Sequence, residues 1–79
     1  MTSKNVNEQK LDDIVLALLH LTTFHDRDCY RAWKGHDWNV LDRLHAKGLI
    51  SDPKGKAKSV IMTEQGLKRS QALFEKLFR

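Results

Sequence analysis

Apolar residues recur every three or four positions near the start of the chain. This stripe consists of Leu11, Ile14, Val15, Leu18 and Leu19. The spacing places them on one face of a helix, so it predicts an amphipathic helix that begins near residues 6 to 8 and reaches about Thr22. Two β-branched threonines and a polar run then interrupt the pattern.

The pattern is weakest between Thr23 and Gly35. The candidates for burial in this segment are Tyr30, Ala32 and Trp33. We expect a loop and then a short helix over about residues 29 to 34. Gly35 would end this helix, because glycine often occupies the position just after a helix C-terminus.

A second periodic segment follows. Trp38, Leu41 and Leu44 lie on one face of a helix. Asp37 is placed to cap its start, and the helix runs to about Lys47 and stops at Gly48. Trp33 and Trp38 could stack on bases or line a ligand pocket. We expect both to lie in the core instead, because large aromatic side chains commonly fill the junctions between helices.

Beyond Gly48 the pattern changes to that of strands. Residues 49 to 51 and 59 to 62 are short apolar runs, and the turn-forming sequence Asp-Pro-Lys-Gly lies between them. We therefore expect a β-hairpin over about residues 49 to 62. Thr63 is placed to cap a final helix over about residues 64 to 78, whose apolar stripe should pack beside the first helix.

These elements predict a mainly α protein with a small β-hairpin, in the order helix, helix, helix, hairpin, helix. The second and third helices would form a helix-turn-helix pair, with the hairpin in the position of a wing. The predicted fold is thus a winged helix-turn-helix. A chain of 79 residues supports one core, so we expect a single domain over residues 1 to 79, with a disordered start at about residues 1 to 6.

Sequence motifs support this fold by resemblance. The runs WNVLDRLHAKGLIS and VIMTEQGLKRSQALF resemble the winged-helix pattern, in which a helix ends in a Gly-Leu-Ile strand and the second wing strand leads into a Thr-Glu-x-Gly helix start. More narrowly, RAWKGHDWNVLDRLHAKGLISDPKGKAKSVIMTEQG resembles a small bacterial family of uncharacterised single-domain proteins. The resemblance implies the fold and brings no activity with it.

Charge is distributed unevenly along the chain. The net charge is +4, but residues 1 to 30 carry −2 and residues 31 to 79 carry +6. A basic surface on one side is what a polyanion-binding domain needs. The alternative interpretation is a solvated surface with an excess of lysine.

The basic residues define a candidate contact with double-stranded DNA. On the third helix, Arg43 could read guanine and Asn39 could read adenine, with Lys47 as a further cation. On the predicted wing, the phosphate-binding candidates are Lys54, Lys56 and Lys58. Asp37 and Asp42 oppose this contact through like charge. The wing lysines could instead form a charged turn that prevents edge-to-edge pairing of strands.

These features lead to two functional hypotheses. The first is a DNA-binding protein that acts as a small transcriptional regulator and a homodimer. The second is a protein-interaction or dimerisation module that has the winged fold and does not touch nucleic acid. In both, the candidate dimer seam is the apolar end of the last helix. It contains Leu73, Phe74, Leu77 and Phe78.

Catalytic and metal chemistry find little support. The potential metal ligands His20, His25, Cys29 and His36 fit no compact tetrahedral spacing. We recognise no nucleophile with its base and no phosphate loop, and expect little space for a substrate cleft. We expect no enzyme, cofactor or small-molecule ligand. A lone cysteine and the absence of an apolar signal core indicate a cytoplasmic location without membrane contact.

Overall fold

The computed structural model describes residues 7–79, so the expected disordered start lies outside the described residues. These residues form three helices and three strands. Their order is α1 (Glu8–Leu21), β1 (Phe24–Asp26), β2 (Cys29–Trp33), α2 (Trp38–Ala46), β3 (Ser59–Met62) and α3 (Glu64–Phe78). None of these helices is long and apolar enough to cross a membrane.

All three strongly periodic segments form the predicted helices. The Asn7 carboxamide caps α1 by accepting the Lys10 backbone N–H at 3.1 Å. α2 ends before Gly48, whose φ of +76° lies in the left-handed region that favours glycine. Asp37 precedes α2 but makes no side-chain cap hydrogen bond.

The predicted short helix over about residues 29 to 34 is wrong. Residues 29 to 33 form β2, which pairs with β1 in an antiparallel hairpin through Asp26 and Cys29. The two-residue turn between the strands places Arg27 at a φ of 57°. Tyrosine and tryptophan favour strands, and the hairpin lets β2 pair on both sides. The predicted helix-turn-helix pair is therefore absent from residues 7–79, and so is the role of Gly35 as a helix terminator.

The predicted hairpin over residues 49 to 62 is present only in reduced form. β3 forms as expected, but its main partner is β2, in a sheet with the order β1-β2-β3. The expected strand over residues 49 to 51 is reduced to a single bridge between Ile50 and Met62. The Ser51 N–H also donates to the Ile61 carbonyl at 2.9 Å. Residues 52–58 therefore form a loop that leaves from and returns to the sheet.

The helices cover one face of the sheet. α1 packs against both α2 and α3 and contacts β2, so it is central to the fold. The buried apolar cluster is formed by Val15, Leu16, Leu19, Ala32, Val40, Leu41, Leu44, Leu49, Ile50, Val60 and Met62. Because side chains alternate along strands, the opposite face of the sheet carries Phe24, Arg31, Trp33 and Ile61.

The expected packing of the last helix beside the first is confirmed. Asp13 meets Arg69 at 3.6 Å, and the His20 and Phe74 rings are 5.1 Å apart. The later residue of α1 contacts the later residue of α3, so the two helices run in the same direction. Their C-terminal ends therefore lie together.

The Thr-Glu-x-Gly sequence at the start of α3 is explained by close contacts. The Thr63 hydroxyl accepts the Gly66 N–H at 2.9 Å and donates to the Gly48 carbonyl at 2.8 Å. Gly66 is buried, and a Cβ atom at this position would overlap the Leu49 carbonyl oxygen. A glycine is therefore needed where α3 crosses the chain leaving α2.

We expect Gly66→Ala to lower the free energy of unfolding by about 2 kcal/mol, because the added methyl group must displace backbone atoms. Gly55→Ala is the matched control, since a Cβ there would come no closer than 4.0 Å to the Ala57 nitrogen. Urea unfolding of both variants measures the difference. Equal stability of the two variants would contradict this account of Gly66.

Candidate nucleic-acid interface

Arg43 and Lys47 converge on a buried carboxylate. Arg43 donates through Nε to Asp12 Oδ1 at 2.9 Å, and its terminal nitrogen lies 2.8 Å from the same oxygen. Lys47 Nζ donates to Asp12 Oδ2 at 3.0 Å and to Gln9 at 3.0 Å. Asp12 itself is 1% exposed. These two cations therefore hold α2 against α1.

The protonation behaviour of these groups matches the contacts. Burial of Asp12 opposes its charged form, but hydrogen bonds and charges from Arg43 and Lys47 outweigh burial and hold its pKa below the usual value. The hydrogen bond that Arg43 donates to the Asp12 carboxylate raises the pKa of Arg43. The network is thus an ion-paired unit at neutral pH, and its cations are partly neutralised toward any external anion.

A separate basic surface lies on the loop 52–58. The side chains of Lys54, Lys56 and Lys58 are exposed. Within residues 7–79 none of these lysines lies within salt-bridge distance of a carboxylate, unlike Arg43 and Lys47. Asp52 uses one carboxylate oxygen to accept the Lys54 backbone N–H at 3.0 Å. The loop therefore presents a net charge of +2 in seven residues.

Lys34, which directly follows β2, holds this loop by hydrogen bonds. Its Nζ donates to the Pro53 carbonyl at 2.6 Å and to the Gly55 carbonyl at 2.9 Å. Its backbone N–H donates to the Lys58 carbonyl at 3.1 Å. Pro53 is buried beneath the loop. The backbone that carries the three exposed lysines is therefore tied at both ends to the sheet.

The two tryptophans lie beside this loop and not in the core, so the expectation of burial is wrong for both. Trp33 is 52% exposed and Trp38 is 56% exposed. β2 turns Trp33 toward the outer face of the sheet, and Trp38 lies in the first turn of α2, with Lys34 Nζ 5.8 Å from its ring centroid. Helical periodicity places Trp38 on the same helix face as Leu41. Trp38 is nevertheless exposed because the first turn of α2 extends beyond the core.

The predicted site residues thus fall into two groups. The loop brings Lys54, Lys56 and Lys58 together, and Asn39 is exposed at the nearby start of α2. Arg43 and Lys47 belong to the Asp12 network. Asp12 and Lys34 were not among the predicted site residues. The signal for Asp12 was its spacing of three and seven from Val15 and Leu19, which places an acid on the face of the apolar stripe.

The candidate dimer residues lie at the shared end of α1 and α3. Leu73 and Phe74 are half-buried, whereas Leu77 and Phe78 are exposed. The Phe74 and Phe78 rings are 5.4 Å apart. The 63% exposed side chain of Leu21 lies at the same end. An apolar patch therefore faces outward there.

The potential metal ligands lie on different elements. The His20 ring contacts Phe74, the His25 ring contacts Tyr30 at 4.8 Å, and Cys29 Sγ contacts the Asp26 carbonyl at 3.4 Å. Over residues 7–79 no three His, Cys, Asp or Glu side chains are grouped so that they could hold a metal ion.

A groove of about 600 Å³ lies between the start of α1, the chain just after α2 and the first half of α3, although we expected little space for a substrate cleft. Its polar lining is formed by Gln9, Lys47, Gln65, Lys68 and Arg69. Each of the three cations in this lining has a carboxylate partner, at 3.0 to 3.7 Å. The groove is therefore charged but internally balanced.

The fold and these surfaces define a small, mainly helical protein with a three-stranded antiparallel sheet and a basic loop. Residues 7–79 match the family described as "Domain of unknown function (DUF6429)", and the chain belongs to this family. It is 55% identical over 73 residues to "Uncharacterized protein y4hR" of Sinorhizobium fredii (strain NBRC 101917 / NGR234), covering 92% of this chain and 95% of the relative. The expected membership of a small family of uncharacterised bacterial proteins is confirmed. No solved structure matches the chain.

Proposed function

We propose that the protein binds DNA through phosphate contacts made by the loop 52–58. The observation that supports this most directly is the exposure of Lys54, Lys56 and Lys58 without a carboxylate partner in the described part of the chain. Cations that are not already paired gain most from a phosphate, because binding releases the counterions of the nucleic acid. The Lys34 hydrogen bonds hold the loop in place, which reduces the entropy lost on binding.

We also propose that the fold is a reduced form of the winged helix. α2, the Ile50–Met62 bridge, the loop 52–58, β3 and α3 follow the order of a recognition helix, wing and final helix. The hairpin of β1 and β2 takes the place of the missing second helix. Since Arg43 and Lys47 are paired with Asp12, only Asn39 remains for reading bases from α2. We therefore propose contact with the DNA backbone that is largely independent of base sequence.

A salt titration tests this function. We expect labelled random-sequence DNA to bind measurably at 50 mM salt and roughly 20- to 40-fold more weakly at 200 mM salt, the change for about three neutralised phosphates. Fluorescence anisotropy measures both affinities. Failure to bind at the lower salt concentration would contradict the proposal.

The second candidate function is a homodimer or protein-interaction module. The exposed patch of Leu21, Leu77 and Phe78 favours it, because contiguous exposed apolar surface often marks a protein interface. Sedimentation equilibrium, run beside the salt titration, separates the candidates. A mass of two chains without DNA binding would support this second function alone.

A further inference from the structure

Two half-exposed indoles flank the connection between β2 and α2. We call Trp33, Lys34, Gly35 and Trp38 the tryptophan corner. Trp33 lies against Gly35 so closely that a Cβ atom on Gly35 would overlap the indole nitrogen. Lys34 Nζ faces the Trp38 ring at 5.8 Å. Each indole thus has one side near the protein and about half of its surface open to solvent.

The tryptophan corner and the lysine-bearing loop are connected directly. Lys34 sits between the indoles in sequence and donates to the carbonyls of Pro53, Gly55 and Lys58. The backbone of the lysine-bearing loop is therefore held against the residue that lies between the two indoles in sequence. On the outer face of the sheet, Trp33 of β2 is followed by Arg31, which lies between Ile61 of β3 and Phe24 of β1.

Exposed aromatic rings near cations favour single-stranded over double-stranded DNA. In a duplex the faces of the bases are covered by their neighbours, so an exposed indole has little to stack on. In a single strand every base offers a face, and proteins that bind such strands combine cationic grooves with aromatic rings. A helix that binds in the major groove would need cations that are free to contact DNA. Arg43 of α2 and Lys47 just after it are instead paired with Asp12.

We propose, building on the proposed function, that the preferred ligand is single-stranded nucleic acid. Its bases stack on Trp33 and Trp38, and its phosphates contact Lys54, Lys56 and Lys58. The stacking does not depend on base identity, because each base has a π face. Binding is therefore sequence-tolerant and salt-dependent.

The test uses the intrinsic fluorescence of the protein. The chain has two tryptophans, and both lie in the tryptophan corner, so the signal reports on this corner alone. A short oligothymidylate and a duplex of equal length are titrated at the same salt concentration. We expect quenching by the single strand, with an affinity roughly 10-fold above that of the duplex if one good stack is gained.

Trp33→Leu and Trp38→Leu should each weaken single-strand binding roughly 10-fold and leave duplex binding unchanged. Labelled oligonucleotides provide the anisotropy signal here. Trp33→Phe and Trp38→Phe keep an aromatic ring and should recover part of the affinity. Circular dichroism checks that every variant is folded.

Two results would overturn the inference while the proposed function stands: equal affinity for both DNA forms, or leucine variants that bind the single strand as well as the original protein does. Binding of neither form would remove the proposed function as well. A mass of two chains without DNA binding would contradict both proposals and support the second candidate function.

Discussion

Replacing Lys54, Lys56 and Lys58 together by glutamate will reduce DNA affinity by more than about 100-fold at 50 mM salt, because three phosphate contacts become three repulsions. The fold should persist, since these side chains are exposed and the loop is held by backbone carbonyls that Lys34 contacts. Fluorescence anisotropy with labelled DNA measures the loss.

The matched control is a second triple variant in which Lys10, Lys68 and Lys76 become glutamate. These lysines are also exposed, so the net charge changes by the same amount, but they lie on α1 and α3. We expect a loss of less than about 10-fold from the weaker long-range field. Equal losses in the two variants would show that total charge governs binding and would remove the loop from the proposal.

Arg43→Ala is expected to lower the free energy of unfolding by about 3 kcal/mol, because it leaves the buried Asp12 carboxylate with one cation in place of two. For a domain of this size the melting temperature should fall by more than about 10 °C. The DNA affinity of the folded fraction should change little. A stable variant with greatly weakened DNA binding would return Arg43 to the role of a base-reading residue.

The acid response provides an independent measurement of the same network. The pKa of Asp12 in the folded protein lies below the usual 3.8. Its contribution to stability is therefore present above that value and is lost as the pH falls toward the folded pKa. Urea unfolding of Arg43→Ala should show a shallower loss of stability below about pH 4 than the original protein shows. Parallel curves would contradict the ion-pair account.

The helices were predictable because their apolar residues repeat with the helical period over two or more turns. Val15 and Leu19 of the predicted stripe lie in the core, as do Leu41 and Leu44. Leu16, which the stripe omitted, is also buried. Caps at Asn7 and Thr63 and the left-handed Gly48 set the boundaries locally. These features depend on nearby residues and so can be read from the sequence.

The β1–β2 hairpin was not predictable in the same way. Its turn uses Arg27 at positive φ, where asparagine or glycine would have marked a hairpin. Its strands are three and five residues long. Only Ala32 of β2 is buried, so the segment lacks a complete alternating pattern. Pairing with β3, about 30 residues away, stabilises the strand through contacts that no local pattern contains.

The turn residues and the three lysines located the basic loop in the sequence. The pairing of Arg43 and Lys47 with a carboxylate could not be predicted in this way. A sequence shows that Arg43 and Lys47 share a helix face without showing which acid lies opposite them. Asp12 is more than 30 positions away and becomes their partner only when α1 packs against α2. The exposure of Trp33 and Trp38 likewise follows from where the sheet and the helix end.

The salt dependence of DNA binding tests the central claim most directly. A plot of log Kd against log salt concentration should have a slope of about 2 to 3 for the original protein. It should have a slope near zero, with residual weak binding, for the variant in which Lys54, Lys56 and Lys58 are replaced by alanine. The same slope for both proteins would show that these lysines do not contact phosphate and would contradict the account.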